Sequence, residues 1–225
     1  SHIQSLIMQG KVRCDDVVIT KAGTLVPIDA VIAVDDQKPK YASRAGFKLE
    51  HALDAFNIDP AGMIVLDAGI STGGFTSCLL DRGALRVYGV DVGFGQVHES
   101  VARDPRVVVM EKTNLRHLET LPEKLDLATL DLSFISLHKV LPAVFNLLKP
   151  TGTIVALIKP QFEAKRHEIN RGGIVRDEKV RERVVQEVCE FMTEHGYQTV
   201  GVVESPIVGA ASGNTEYLGY FIPQK

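Results

Sequence analysis

Short apolar runs along this chain alternate with longer segments in which apolar residues recur every three or four positions. The runs are typical of buried β-strands, and the longer segments are typical of amphipathic helices. The pattern predicts strands at 63–67, 86–91, 107–111, 126–131 and 153–159. It predicts helices at 74–82, 97–103, 136–148 and 178–195. Strands that alternate with helices in this way favour an α/β fold with a parallel, doubly wound sheet.

The end of the chain follows a different pattern. Apolar runs at 198–204 and 216–222 have no helix between them. The segment 205–215 that joins them is rich in Gly, Ser and Pro, and this composition predicts a long loop of the hairpin type. We therefore expect a mostly parallel sheet whose last strand is antiparallel.

The first 36 residues predict a separate unit. Residues 3–7 have the pattern of the end of a helix, which Gly10 would terminate. Short strands are predicted at 11–14, 17–19 and 30–34. Residues 37–42 have the composition of a polar linker, and 43–225 would form the larger domain. The 225 residues suffice for one good-sized domain and one small domain.

One further helix is predicted over residues 43–57, with Ser43 as its N-terminal cap. Its apolar positions form a stripe that consists of Ala45, Leu49, Ala52, Leu53 and Phe56. Lys48 stands beside this stripe, so its side chain could lean toward the edge of the core. A lysine on a helix is otherwise a solvated residue.

Composition and charge exclude several kinds of function. The net charge of −3 argues against non-specific binding of polyanions by the whole surface, so any nucleic-acid contact must come from local patches. No apolar run approaches the roughly 20 residues of a membrane-spanning helix. Cys14, Cys78 and Cys189 form no C-x-x-C pair, and the histidines show no ligand spacing, so we predict no metal site. Scattered cysteines favour reduced thiols and a cytoplasmic location.

A glycine-rich loop joins the first strand of the larger domain to the following helix. The strand ends in Asp67, and the loop occupies 69–74. Such a loop at a helix N-terminus lets the backbone approach a nucleotide-like ligand closely. The predicted ligand-binding residues of this stretch are Asp67, Gly69, Ser71, Thr72, Gly73 and Gly74. Gly73 and Gly74 are expected to leave no side chain between the loop and its ligand.

A second acid, Asp91, ends the next predicted strand and is placed to bind ribose hydroxyls. The glycine spacing is not the dinucleotide pattern, and no lysine of the P-loop type follows it. These features favour S-adenosylmethionine over a phosphorylated ligand. The alternative is an ordinary strand-to-helix turn of an α/β domain.

Charged residues mark the ends of three predicted strands. Asp131 ends the fourth, Lys159 ends the fifth, and Glu216 begins the last one. Ligands of open α/β sheets bind outside the carboxyl ends of the parallel strands, and an antiparallel strand begins at that same edge. We therefore expect the three residues to share one rim. A lysine at the end of a buried strand must face a cleft or a counter-charge, so a structural ion-pair cluster is the alternative.

Five ordered stretches resemble the TlyA-type proteins, which are described as hemolysins or as rRNA ribose 2′-O-methyltransferases. They are SRAGFKL at 43–49, DAGISTGGFT at 67–76, DLSFISL at 131–137, KPQFE at 159–163 and GNTEY at 213–217. The resemblance covers nearly the whole chain. It implies an S-four-type RNA-binding domain, here truncated, joined to an FtsJ-like, Rossmann-like methyltransferase domain. It also implies S-adenosyl-L-methionine as cofactor, with Asn114 and Asp131 among its contacts.

The FtsJ class uses a Lys-Asp-Lys-Glu tetrad, which the resemblance carries over to Lys48, Asp131, Lys159 and Glu216. A sulfonium methyl group is already activated, so the protein must mainly orient the acceptor hydroxyl and remove its proton. Lys159 is the expected base, which the two carboxylates would orient. Lys48 would position the acceptor.

The resemblance implies that the partner is rRNA or a ribosomal subunit and that the target is the ribose of a cytidine. The basic residues that we expect to contact RNA are Lys11, Arg13, Arg44 and Arg171. Each of them would otherwise be a solvated surface charge. Two alternatives stay open. A membrane-active hemolysin would need an amphipathic or spanning segment, and a catalytically silent RNA-binding protein would bind without methylating.

Overall fold

The computed structural model describes residues 2–8, 10–35, 39–209 and 213–224. The chain divides into two compact units, Ser1–Lys40 and Tyr41–Lys225. The boundary falls inside the predicted linker at 37–42, of which residues 37 and 38 lie outside the described part. The larger unit therefore begins two residues before the predicted start.

The described residues of the smaller unit form one helix and three short strands. Its elements are α1 (His2–Met8), β1 (Val12–Cys14), β2 (Val17–Ile19) and β3 (Ile32–Val34). Strand β1 lies between β2 and β3 and is antiparallel to both. The alternation along β1 buries Val12 and Cys14 and leaves Arg13 exposed, as expected for a strand with one covered face.

The larger unit contains a seven-stranded sheet in the order β6-β5-β4-β7-β8-β10-β9. Its strands are β4 (Ile64–Ala68), β5 (Arg86–Val90), β6 (Val107–Met110), β7 (Leu125–Leu130), β8 (Leu148–Ile158), β9 (Tyr197–Glu204) and β10 (Tyr217–Pro223). Strands β4 to β8 pair in parallel, whereas β10 is antiparallel to both β8 and β9. The predicted α/β sheet with an antiparallel last strand is confirmed.

In the described part of the larger unit, six helices flank this sheet. They are α2 (Ala45–Ala55), α3 (Gly74–Asp81), α4 (Glu99–Ala102), α5 (Leu141–Leu147), α6 (Pro160–Glu163) and α7 (Glu178–Glu194). The single helix predicted at 136–148 is wrong, because a 3₁₀ turn at Leu137–Lys139 precedes α5 and Pro142 lies in the first turn of α5. Strand β8 also begins five residues earlier than predicted.

The two faces of the sheet bury separate clusters of apolar side chains. Val65 and Leu127 contact α2 and α3 on one face. Leu66 and Ala128 contact α5 and α7 on the other. Adjacent residues point to opposite faces because the side-chain period of a strand is two. Burial on both faces explains why these strands are continuous apolar runs in the sequence.

Ser43 does not cap α2, contrary to the prediction. The N-cap position belongs to Arg44, which has helical backbone angles and provides no side-chain cap. The Ser43 hydroxyl instead lies 2.3 Å from where a β-carbon on Gly74 would stand, so it faces the start of α3. Within the described residues, no helix is both long and apolar enough to cross a membrane. Cys14, Cys78 and Cys189 are free thiols.

Candidate active site

Two adjoining cavities open at the carboxyl edge of the parallel strands. The first, here the lysine cavity, has a volume of about 510 Å³ and is lined by Lys48, Asp131, Lys159 and Glu216 among others. The second, here the Asp91 cavity, has a volume of about 550 Å³. Both are bordered by a shared wall that consists of Gly69, Ser71, Asp131, Ser133 and Phe134.

Lys48 and Glu216 form a buried ion pair in the lysine cavity. Lys48 Nζ lies 2.5 Å from Glu216 Oε2, and the two side chains are 8% and 3% exposed. The pair joins α2 to the residue that precedes β10. The two residues are 168 positions apart in the sequence. The Gln161 amide lies 3.5 Å from the other oxygen of Glu216. A buried pair of this kind holds both elements in register.

Lys159 and Asp131 form the second ion pair, with 2.6 Å between Nζ and Oδ1. Each residue follows the end of its strand, and the two strands, β7 and β8, are parallel neighbours. The backbone N–H of Asp131 donates to the carbonyl of Ala68 at 2.9 Å, which fixes it beside β4. Lys159 also donates to the Ser133 hydroxyl at 3.1 Å.

All four residues of the predicted tetrad thus line one cavity, arranged as two lysine–carboxylate pairs. The charges of these four residues cancel, and Arg44 adds a further positive charge to the lining of the cavity. Such an array can orient a hydroxyl group through several hydrogen bonds and can accept its proton. The expectation of one shared rim agrees with the geometry.

Asp67 lies beneath the glycine loop and is fully buried. One of its oxygens, Oδ2, accepts hydrogen bonds from the backbone N–H and the hydroxyl of Thr76, at 2.9 Å and 2.6 Å. Burial raises the pKa of Asp67 to about 7. Asp67 lines neither cavity. It supports the loop from below through Thr76, and its predicted contact with the ligand stays a prediction.

The glycines of the loop are required by neighbouring protein atoms. A β-carbon on Gly69 would stand 2.5 Å from the Asp131 carbonyl, and one on Gly73 would stand 2.9 Å from Val101 Cγ1. Gly73 also has φ of +92°, a conformation that disfavours side chains. Gly74 abuts Ser43, as described above. Gly73 lines neither cavity, whereas Gly74 lines the lysine cavity, and the expectation that the two glycines leave space for a ligand stays a prediction.

Asp91 lines the second cavity and orders the loops around it. Its Oδ2 accepts from the Ser71 backbone N–H at 2.8 Å, and its Oδ1 accepts from the Gly93 N–H at 2.7 Å. Asn114 lines the same cavity, and its side chain accepts from the Arg116 N–H at 3.1 Å. Ser71 borders both cavities, whereas Thr72 borders only the lysine cavity.

Sequence reasoning missed two groups of residues beside the tetrad. Phe134 is 91% exposed, has φ of +64°, and its ring centroid lies 5.3 Å from that of Phe162. Glu163 accepts hydrogen bonds from the Ser136 hydroxyl and the Leu137 N–H, at 2.5 Å and 2.7 Å. It thereby ties the segment after Asp131 to the segment after Lys159. The available signal was the position of these residues inside two of the recognised motifs.

A histidine, His138, also contacts Glu163. His138 lies 3.3 Å from Glu163 Oε2. The hydrogen bond to Glu163 raises the pKa of His138, although partial burial opposes the effect. The imidazole ring also packs edge-on against Phe191 of α7.

The predicted RNA-binding residues lie in different places. Arg44 lines the lysine cavity and reaches the Val208 carbonyl at 3.4 Å. Arg171 is exposed and precedes two glycines that line the same cavity. Lys11 and Arg13 belong to the smaller unit. In the described part of the chain, no cluster of three or more metal-ligating side chains is present.

The strand order, the glycine loop after β4 and the charged cleft at the strand ends define a Rossmann-like methyltransferase. The FtsJ-like methyltransferase family matches residues 41–221. The 16S/23S rRNA (cytidine-2′-O)-methyltransferase TlyA of Mycobacterium tuberculosis is 47% identical over 215 residues, which are 94% of this chain and 80% of that protein. The chain therefore belongs to the FtsJ-like methyltransferases and, within them, to the TlyA-type family.

Other members of this group carry a different name. Hemolysin A of Brachyspira hyodysenteriae is 41% identical over 226 residues, which are 99% of this chain and 93% of that protein. A solved structure of a provisionally named hemolysin from Streptococcus thermophilus is 38% identical, with a TM-score of 0.82. The match covers 100% of this chain and 82% of that one. The recognised resemblance is thereby confirmed.

The cofactor of the family is S-adenosyl-L-methionine, and the residues of the Asp91 cavity fit it. An acid with a spare lone pair on each oxygen suits ribose hydroxyls, and Asn114 and Leu115 offer a polar and an apolar contact for an adenine. The loop glycine Gly69 keeps the backbone close to the Asp131 carbonyl. When bound, the cofactor would supply an electrophilic methyl group.

Proposed function

We propose that the chain transfers a methyl group from S-adenosyl-L-methionine to the ribose 2′-hydroxyl of a cytidine in rRNA. The observation that carries the proposal is the pair of ion pairs, Lys48–Glu216 and Lys159–Asp131, in a cavity that adjoins the cofactor cavity. The named substrate of the Mycobacterium tuberculosis relative supports the choice of cytidine 2′-oxygen.

The four residues divide the work of holding the acceptor and moving its proton. Lys48, fixed by Glu216, donates a hydrogen bond to the acceptor ribose. Lys159 is held by Asp131 at 2.6 Å and by Ser133 at 3.1 Å, so its amine has a fixed position. Because an ion pair contains a protonated amine, Lys159 must first release a proton before it can accept one from the 2′-hydroxyl. Asp131 accepts that proton, because its Oδ1 lies nearer to Lys159 Nζ than the Ser133 hydroxyl does.

The RNA partner is rRNA or a ribosomal subunit, in the cytoplasm. Arg44 and Arg171, near the lysine cavity, would contact phosphates on the methyltransferase unit. Residues 1–36, with Lys11 and Arg13, would act as a partial S-four-type RNA-binding domain, and residues 43–225 as the FtsJ-like domain. The β1–β3 sheet of the smaller unit and the exposed Arg13 support this assignment.

Mass spectrometry of nucleosides tests the proposal. Ribosomal subunits from cells that lack the protein are incubated with the purified protein and isotopically labelled cofactor. We expect label only on the ribose of cytidine with the wild type, and none with Lys159→Ala, whose cofactor affinity stays near that of the wild type. Label on a base, or equal labelling by Lys159→Ala, would contradict the proposal.

The relatives named hemolysins support a second candidate function, which is lysis of membranes. It is tested by release of haemoglobin from erythrocytes by the purified protein. Lysis by both the wild type and Lys159→Ala would favour this function as independent of methyl transfer. Binding of cofactor and RNA with no methylation of any rRNA would instead indicate a silent RNA-binding protein.

A further inference from the structure

Asn214 joins two segments of the methyltransferase unit that are distant in sequence. Its side chain is 2% exposed. Its Nδ2 donates to the Gly173 carbonyl at 2.7 Å, and its Oδ1 accepts from the Val175 N–H at 2.9 Å. A buried amide that bonds at both ends fixes the backbone on either side of it, because each lost bond would leave a buried polar group unsatisfied.

The segment that Asn214 holds is a tight turn at 170–174. The Asn170 N–H donates to the Ile174 carbonyl at 2.9 Å, and the Gly173 N–H donates back to Asn170 at 3.0 Å. Gly172 and Gly173 have φ of +85° and +75°, and a β-carbon on either would meet open space. The glycines are therefore required by the backbone conformation of the turn.

This turn belongs to the acceptor side of the site. Gly172 and Gly173 line the lysine cavity together with Lys48, Lys159 and Glu216. They do not line the Asp91 cavity, which is lined by Asp91 and Asn114, the predicted contacts of the cofactor's ribose and adenine. A change in the turn should therefore alter binding of the acceptor before it alters binding of the cofactor.

The turn presents hydrogen-bond donors that the protein itself does not use. Within the described residues, the exposed Arg171 side chain has no ion pair, and the N–H groups of Arg171 and Gly172 have no acceptor. A guanidinium beside two successive backbone donors is suited to the oxygens of a phosphate. Their place at the rim of the acceptor cavity matches the phosphate next to a bound ribose.

We infer that the turn at 170–174 binds the RNA phosphate beside the target ribose, and that Asn214 is the positioning residue that holds the turn there. The inference deepens the proposed function and rests on it for the identity of the acceptor as RNA. It assigns a role to a buried side chain that the tetrad and the cofactor residues leave unexplained.

The phosphate contact is tested with Arg171→Ala in the full chain. The probe is rRNA extracted from ribosomal subunits, and its affinity is measured at several salt concentrations. We expect about a tenfold weaker affinity at low salt and a salt slope smaller by about 0.7, the value for one phosphate on a single strand. Lys179→Ala, which removes an exposed cation that lines neither cavity, is the matched control. A salt slope equal to that of the control would overturn the contact.

The positioning role is tested with Asn214→Ala by amide hydrogen exchange. Exchange at Val175 should become about tenfold faster, because its N–H loses its acceptor. The KM for RNA should rise, and calorimetric affinity for the cofactor should stay the same. Unchanged exchange at Val175, or an equal loss of cofactor and RNA affinity, would overturn the role. Asn214→Asp keeps the acceptor for Val175 but not the donor to Gly173, so we expect it to restore protection at Val175 only.

Failure of the inference differs from failure of the proposed function. Binding and exchange are measured without methyl transfer. A wild type that binds rRNA with an Arg171-dependent salt slope but methylates no ribose would refute the proposed function and support the turn as a phosphate site. A wild type that methylates cytidine, with Arg171→Ala at full affinity, would refute the turn alone.

Discussion

Asp67 and Thr76 are joined by two hydrogen bonds to a single carboxylate oxygen, beneath the glycine loop. The other oxygen, Oδ1, is buried and has no hydrogen-bond partner among the described residues. Burial outweighs these bonds and raises the pKa of Asp67 from 3.8 to about 7. The folded protein therefore retains a proton here at pH values where an unfolded aspartate has lost it.

Asp67→Asn should remove one source of pH dependence in stability. Below about pH 4 the raised pKa of Asp67 does not change the free energy of unfolding. As the pH rises from about 4 to about 7, the raised pKa lowers this free energy progressively. Between pH 5 and pH 8 the wild type should thus lose roughly 2–3 kcal/mol relative to the asparagine variant. Urea unfolding at both pH values measures this difference. Parallel losses in the two proteins would show that Asp67 does not titrate in this range.

Lys159→Arg separates two roles of the lysine. A guanidinium stays protonated, so it can hold the acceptor but cannot take its proton. If Lys159 is the base, both Lys159→Arg and Lys159→Ala should lose about 10²–10⁴-fold in single-turnover rate. Rapid quenching of a reaction with pre-bound RNA measures this rate. A near-normal rate for the arginine variant would leave Asp131 as the candidate base.

Gly73→Ala should destabilise the fold more than Gly62→Ala does. Both glycines have positive φ, but only at Gly73 would the added methyl group meet Val101. The conformational cost of roughly 1–2 kcal/mol is common to both, and Gly73→Ala adds the steric cost. Val101→Ala in the Gly73→Ala background should recover the difference. Equal unfolding midpoints for the two single variants would contradict the assigned contact.

The buried Lys48–Glu216 pair should show strong coupling. Lys48→Met leaves Glu216 without its counter-charge, and Glu216→Gln does the reverse, so each should cost about 3–5 kcal/mol of folding free energy. The double variant should lose much less than the sum. A double-mutant cycle by chemical unfolding gives the coupling. The exposed pair Arg103–Glu99 is the control and should couple weakly; equal coupling in both cycles would contradict the prediction.

The basic residues of the smaller unit should contribute to RNA affinity alone. Replacing Lys11, Arg13 and Lys21 by alanine in the full chain should flatten the salt dependence of rRNA binding, because fewer counterions are released. Cofactor affinity, measured by calorimetry, should not change. An unaltered salt slope would place the RNA contacts on the methyltransferase unit.

The sequence alone was sufficient to predict most of the sheet, because strands buried on both faces are continuous apolar runs. It also predicted that Asp131, Lys159 and Glu216 lie at one edge of the sheet, because the direction of each strand determines which of its ends lies at that edge. It could not show why Gly73 is a glycine, because the contact is with Val101 in another helix. The break before Leu141 was missed because the apolar spacing continues across it.

The role of Asn214 could not be predicted from the sequence either, because it also depends on contacts with residues that are distant in the sequence. Both of its partners lie about forty residues away in a segment without apolar periodicity. Before Val175 this segment contains two short helical turns, Pro160–Glu163 and Arg166–Glu168, and the bridged turn at 170–174.

The position of β10 inside the sheet has a consequence for synthesis of the protein. This strand follows all the others in sequence, yet it lies between β8 and β9. In a nascent chain that does not yet include Glu216 and β10, Lys48 lacks its counter-charge. The edges of β8 and β9 that β10 would cover are then unpaired. Such edges are open to pairing with other chains. The Lys48–Glu216 ion pair and the protection of both strand edges are therefore acquired together, when β10 pairs with β8 and β9.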